Sequence, residues 1–334
     1  MKVWIDALTP KHYLMTRALE DYFLNDGNEL FITLREYEEL QRVSKRISLK
    51  SKYAVIGSHG GNDLKEKLVQ SVRRMLELSN LINDLKPDVS ISFGSPEAAR
   101  VSFGLGIPHL LICDSPHSIF VCKLTVPLSS YLLIPWIIKK EKFVRYGINN
   151  ERILKYKSLD PTSWLYRKNI WPPKNRIEEI SAGNIIIRES EYMASYVKDL
   201  INFEEFALKI ANLFPDKKVL LLKRYFNYEK IIGNLIIYGG EFFGPNVLER
   251  SYAFIGGGGT MNVEALLLGI KTVSVFSYKT DVEEYLLNKG FIKKETNPEK
   301  IKEYFNSKEQ VKTPKLPDAS AEIYNIFKSL PLKL

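Results

Sequence analysis

Four consecutive glycines, Gly256, Gly257, Gly258 and Gly259, separate an apolar run from a helical one in "FIGGGGTMNVEALLLGIKTVSVF", residues 254–276. A strand that ends in glycines and leads into a helix exposes bare backbone at a helix N-terminus. Uncommitted N–H groups and the positive end of the helix dipole favour an anion there. The dinucleotide fingerprint G-x-G-x-x-G does not fit, because its last position falls on Met261 counted from Gly256 and on Asn262 counted from Gly257. The Walker lysine is also missing, since Thr260 and Met261 follow the glycines. These residues predict a phosphate-type turn read by backbone, without a redox or P-loop signature. Glu264 comes four residues after Thr260 on the same helical face, where a carboxylate can accept hydrogen bonds from ribose hydroxyls. A packing turn and a first-turn acid favoured by the dipole are the plainer readings of the same residues.

A second group of residues has acid–base chemistry. Three of the four histidines, His12, His59 and His117, fall in loops predicted at strand ends, the rim where α/β sheets bind ligands. Asp114 ends a predicted strand and could reach His12. An imidazole backed by a carboxylate is a general-base pair able to take a proton from a hydroxyl, and Asp6 is the alternative carboxylate. His59, in "SHGG" with Gly60 and Gly61, suits a phosphate or sugar contact. Ser95 is the predicted N-cap of the "SPEAARVSFGLG" helix, with Pro96 at its first position. The two cysteines, Cys113 and Cys122, have neither metal-site spacing nor partners for a disulfide framework, so reduced thiols in a cytoplasmic chain are expected. No Asp-x-Asp metal motif occurs, and no metal ligand set is predicted.

The elements that must position these groups alternate. Apolar runs of strand length ("KVWID", "ELFITL", "YAVIG", "DVSISF", "PHLLIC", "YLLIP") are interleaved with helical patterns near 12–25, 36–46, 63–85 and 95–104. A second series begins with "GNIIIRES" and continues through "KVLLLK", "LIIYG", "YAFIGG" and "KTVSVF". Its helices are expected near 203–213, 260–268, 281–289 and 319–330. The pattern predicts two Rossmann-like, doubly wound parallel-sheet α/β domains facing a cleft. Their expected bounds are residues 1–170, a linker at 171–182 and residues 183–334, with the last helix free to pack back on the first domain.

The 334 residues carry a net charge of +9, and residues 1–170 hold 25 basic against 18 acidic side chains. A basic half suits an anionic partner such as a phosphate or a membrane surface, and a generally lysine-rich composition is the bland alternative. No run approaches a membrane span. Residues 119–145 mix apolar side chains with Lys139, Lys140, Lys142 and Arg145. A buried strand and a solvated basic turn are the first reading of this segment, and peripheral contact with an anionic membrane is the second. No nucleic-acid module is recognisable, so no nucleic acid is expected as a partner.

Four stretches, "WIDALTPKH", "GSHGG", "FGSPEAARVSFGLGIPH" with "DSPHS", and the glycine motif, together resemble the domain-of-unknown-function family three-five-four. The glycine motif also resembles the nucleotide-sugar motif of GT-B glycosyltransferases and non-hydrolysing UDP-N-acetylglucosamine 2-epimerases. That resemblance implies a nucleotide-diphosphate sugar, UDP-linked in the first instance, bound as substrate with no separate cofactor. Gly258, Gly259 and Thr260 would then meet the diphosphate, Glu264 the ribose, and Arg188 the same phosphates. Phe243, or the backbone near Pro245 and Val247, would meet the base. Gly257 and Gly258 stand where many relatives have an acidic residue and a serine, so those side-chain contacts are missing here. The resemblance also implies that His12 and Asp114 are catalytic, with His59, Gly60, Gly61, Ser95 and His117 on the acceptor side. The leading expectation is a metal-independent glycosyltransferase with a lipid-linked or polysaccharide acceptor. A sugar-nucleotide 2-epimerase and a non-catalytic sugar-nucleotide binder are the alternatives.

Overall fold

The computed structural model describes residues 1–61, 63–190, 201–224 and 227–332. It divides into two compact units, residues 1–168 with 316–334, and residues 169–315. Both are Rossmann-like.

The first unit is built on seven parallel strands: β1 (Lys2–Ala7), β2 (Glu29–Glu36), β3 (Lys52–Ser58), β4 (Val89–Ser92), β5 (His109–Ile112), β6 (Tyr131–Pro135) and β7 (Ile153–Tyr156). Their order is β3-β2-β1-β4-β5-β6-β7. Val3, Trp4, Ile5, Leu110, Leu111, Leu132 and Leu133 are fully buried, as expected of strands covered on both faces. The strand order reverses beside β1, so the loops after β1 and β4 border the topological switch point where such sheets bind ligands. The helix Pro10–Asn25 starts directly after β1, its N-cap Thr9 accepting from the His12 N–H and Pro10 occupying the first turn. The helix Leu64–Leu85 is capped by Asp63 and stops at Lys86, left-handed with φ +51°, ahead of Pro87.

A buried ion pair fastens this helix to the sheet. Arg74 donates to Asp6 through Nη2 (2.6 Å) and Nη1 (3.2 Å), and through Nε to Ile56 O (2.9 Å). Gly57, at φ +67°, lets the Arg74 stem pass, because a Cβ there would lie 2.9 Å from it. The helix Ala319–Ser329 completes the unit. Tyr324 and Phe327 set their rings edge-on to Phe23 at 4.9 and 4.8 Å.

The second unit holds β8 (Ile185–Arg188), β9 (Val219–Leu222), β10 (Glu229–Ile232), β11 (Leu235–Tyr238), β12 (Ala253–Gly256), β13 (Lys271–Ser274) and β14 (Lys293–Lys294). Their order is β10-β11-β9-β8-β12-β13-β14, parallel except for β10 against β11. Here the switch point lies between β8 and β12.

Several elements depart from the sequence pattern. β7, β10, β14 and the helix Pro298–Asn306 were not predicted. β10 is exposed at every residue, so it lacks the apolar alternation that marks a strand. Residues 171–182, expected as a linker, are part of the second unit. Their helix Arg176–Ile180 is closed by a capping box of Asn175 and Glu178, and Ile177 is buried. Within 119–145, β6 is buried while Phe120 and Leu124 are exposed. Among the described residues, no helix is long and apolar enough to cross a membrane.

Candidate functional site

The four glycines divide into two pairs. A Cβ on Gly256 would overlap Asn262 Oδ1, and one on Gly257 would overlap Ser190 Oγ. Both therefore serve close packing. A Cβ on Gly258 would meet only Arg224 Nη2, at 3.9 Å, and one on Gly259 would meet nothing within 4 Å. Gly258 is the N-cap of the helix Gly259–Leu267, and no side chain caps that first turn. The packing reading holds for the first pair. The second pair, with half-buried Thr260, leaves open backbone at a helix N-terminus.

Glu264 lies one turn in and is 3% exposed. Its Oε2 sits 2.7 Å from where a Cβ on Gly244 would be, so the carboxylate rests on the backbone that begins the helix Gly244–Leu248. The structure thus joins the glycine turn to the loop expected to meet a base. It corrects the role of Phe243, whose ring is 3% exposed and packs edge-on against Trp171 at 5.8 Å. The Phe243 side chain belongs to the core, where it cannot stack on a base. Phe242, half-buried, lies under the Arg188 guanidinium at 5.1 Å.

Arg188 ends β8 in register with Leu222 and Gly256, and its Nη1 donates to Lys223 O at 2.8 Å. Lys223 and Arg224 add two more cations at the same strand ends. Lys223 is paired with Glu189 (3.2 Å) and Glu204 (3.1 Å), and the Arg224 backbone N–H donates to Glu189. Sequence reasoning missed Arg224, Ser190 and Asn262. The Ser190 Oγ and Asn262 Oδ1 atoms are buried at the turn without hydrogen-bond partners.

In the first unit the loops after β1 and β5 meet, but not as expected. Asp114 does not pair with His12. It accepts from Lys11 Nζ at 2.5 Å and from Ser115 Oγ at 2.8 Å. Lys11 also reaches Asp160 at 2.6 Å, and Tyr156 donates to the same Asp160. Burial opposes the Lys11 ammonium, yet Asp114 and Asp160 outweigh it and push its pKa up. Burial alone would raise the Asp114 carboxyl, but Lys11 overrides it and brings it down to about 2.

His12 stacks on Phe93 with ring centres 5.3 Å apart, and its Nδ1 accepts the Leu8 N–H at 3.3 Å. Burial first, then the adjacent Lys11, lowers its pKa to about 3, so the ring is neutral with its proton on Nε2. Asp6 is fully buried and held by Arg74 and Thr33, so it is a structural carboxylate. Ser95 caps its helix at Ala98 N (3.2 Å) and lies 3.3 Å from Glu97. His59 stacks on Tyr37 and accepts the Gly61 N–H at 3.1 Å. Gly60 is a packing glycine, since a Cβ would lie 2.6 Å from the Lys67 backbone, while Gly61 takes φ +62°. His117 is half-buried in the loop after β5. Lys11, Asp160 and Tyr156 were not expected at this rim. The one sequence clue was the polar LysHis pair directly after an apolar strand.

The fold has many solved counterparts. UDP-GlcNAc 2-epimerase of Methanocaldococcus jannaschii, in complex with UDP-GlcNAc and UDP, matches with a TM-score of 0.77 at 18% identity, covering 98% of this chain and 99% of that one. UDP-GlcNAc 2-epimerase of Neisseria meningitidis, bound to UDP-GlcNAc, matches at 0.73 and 16%, covering 99% and 100%. The glycosyltransferase of kitacinnamycin matches at 0.61 and 13%, covering 98% and 94%. These likenesses establish a GT-B-like pair of Rossmann units. In sequence, an uncharacterized protein of Methanocaldococcus jannaschii is 30% identical over 307 residues, 86% of each chain. Residues 1–322 match the family model described as "Protein of unknown function (DUF354)", and the chain belongs to that family.

Proposed function

We propose that the protein binds a nucleotide-diphosphate sugar at the Gly258–Thr260 turn and transfers the sugar to an acceptor hydroxyl, as a metal-independent glycosyltransferase. The supporting observation is the division of the glycines, in which two serve packing and two leave open backbone at an uncapped helix start beside Arg224. In this reading the backbone N–H groups and Arg224 offset the charge that develops on the diphosphate as its bond to the sugar breaks. Glu264 accepts the ribose hydroxyls, and the Gly244 backbone beside it borders the base. His12 is the group assigned to the acceptor. To act as a base it must carry its proton on Nδ1 and release the Leu8 N–H.

A second reading is a 2-epimerase acting on the sugar nucleotide alone, which has no acceptor hydroxyl for His12 to deprotonate. With Nδ1 accepting the Leu8 N–H, the His12 ring presents an N–H donor rather than a lone pair.

The test is a thermal-shift panel of UDP, GDP, CDP, dTDP and their sugars, followed by product analysis with and without acceptors. UDP comes first because the proteins of like fold are described with it. A ligand that binds only the folded state raises its melting temperature. No shift with any nucleotide would overturn the donor site. Conversion of the free sugar nucleotide without acceptor would replace the transferase reading by the epimerase one.

A further inference from the structure

Arg35 stands at the carboxyl end of β2, two residues beyond Thr33, and so shares the sheet face that carries Thr33 and Asp6. The carboxylates of this face are already engaged. Asp6 is held by Arg74 and Thr33. Glu97 accepts from Ser71 at 2.7 Å and Ser95 at 3.3 Å, and lies 3.7 Å from Arg74 Nη1. Arg35 itself is half-buried, and among the described residues no hydrogen bond or ion pair reaches its guanidinium. Its Nε is buried without an acceptor. A guanidinium does not give up its proton in proteins, so a group in this position is stabilised by an incoming oxyanion, which it can grip with two parallel N–H donors.

His59 supplies a second donor. Its Nδ1 accepts the Gly61 N–H, which leaves the proton of the neutral ring on Nε2. The ring is held against Tyr37, and the loop backbone at Gly60 lies on the first turn of the helix Leu64–Leu85. The His59 backbone N–H donates to Glu36 O at 3.1 Å, which sets the loop after β3 against the residue next to Arg35, and the Arg35 charge acts on both His59 and His12. The other charged or titratable groups facing these three are Arg74, Asp6, Glu97, Tyr37, Lys67, Lys11 and Asp114.

We propose that Arg35, with His59 beside it, binds a phosphoryl group in the first unit. Resting on the transferase reading, this group is assigned to the acceptor, which makes the acceptor a phosphorylated molecule.

The experiment follows the histidine side-chain NMR signals of the full chain during titration with inorganic phosphate, an alkyl monophosphate and the matching alkyl alcohol. The wild type is compared with Arg35→Met and Arg35→Lys. We expect saturable shifts of His59 and His12 with both phosphates and none with the alcohol. Phosphate binding should fall at least tenfold in Arg35→Met and less in Arg35→Lys. The melting temperature of Arg35→Met should stay level or rise, since an unpaired half-buried charge is removed. Equal phosphate affinity in all three proteins, or no saturable shift in the wild type, overturns the site. Tighter binding of the alkyl phosphate supports the acceptor assignment, and equal binding of both phosphates overturns it. UDP binding is measured alongside. Its absence in the wild type would sink the transferase reading, while the phosphate titration still judges Arg35.

Discussion

Lys11 Nζ lies 2.5 Å from Asp114 Oδ2 and takes the carboxylate that would otherwise stand behind His12. The strand-end loops of the first unit are thus organised around an ammonium shared by Asp114 and Asp160, with a neutral imidazole at its side. Lys11→Met leaves two inward-facing carboxylates without their cation. The side chains are about a quarter exposed at Lys11 and Asp114, so the loss is expected at about 2 kcal/mol, below the value for a fully buried pair. Urea denaturation at neutral pH measures it. The Asp114 pKa is lowered in the fold, from 3.8 to about 2. Its contribution is therefore present above pH 4 and is lost as the pH falls toward 2. The variant should lose that part of the acid dependence.

The glycine turn predicts opposite results within one quartet. Gly256→Ala drives a methyl into Asn262 and should cost about 1–3 kcal/mol, as overpacking does. Gly259→Ala meets open space and should leave the melting temperature within a degree or two. Its effect should appear instead as weaker nucleotide-diphosphate binding, because the added methyl covers backbone N–H groups. Equal effects of both substitutions on stability would contradict the division.

Glu264→Gln keeps the shape of a buried side chain and removes its charge. Calorimetric titration should show a drop of about tenfold, near 1.4 kcal/mol, in affinity for nucleotide diphosphates. Free pyrophosphate should bind as before, since it has no ribose. Unchanged affinity for every nucleotide diphosphate would remove the ribose role.

The histidines predict a second pH dependence. Burial brings His109 down to about 4, where Ser90 and Ser92 hold both ring nitrogens. Burial and Lys11 bring His12 to about 3. Between these values and the ordinary 6.5, the unfolded chain binds protons that the fold refuses. Stability should therefore fall as the pH drops from about 6.5 to 4, on the order of 1–2 kcal/mol per pH unit. His109→Asn should flatten the slope. His12→Ala should abolish transfer and spare nucleotide binding, and transfer should show no His12 protonation limb between pH 5 and 8.

Most of the sheet framework was legible because most of its strands are buried on both faces and so appear as unbroken apolar runs, while β3 kept its apolar run although none of its residues is buried. β10 and β14 were not, since these exposed edge strands have no apolar signature. The glycine turn was legible from composition alone, but the division between Gly257 and Gly258 depends on where Asn262 and Ser190 place their side chains. Lys11 was overlooked beside His12 because a lysine next to a strand end usually points to solvent. Its second partner, Asp160, lies 149 positions along the chain. Arg35 was hidden for a similar reason. Its lack of a partner follows from Arg74 and two serines engaging the nearby carboxylates, a relation among four separate elements.

The helix Ala319–Ser329 belongs to the unit that begins at Met1, although residues 169–315 come between them. During synthesis, the surface around Phe23 therefore waits for Tyr324 and Phe327 until the whole second unit has been made. The second unit can fold from contiguous chain. The first is completed last, and until then it keeps an aromatic seam open to chaperones and to misassembly.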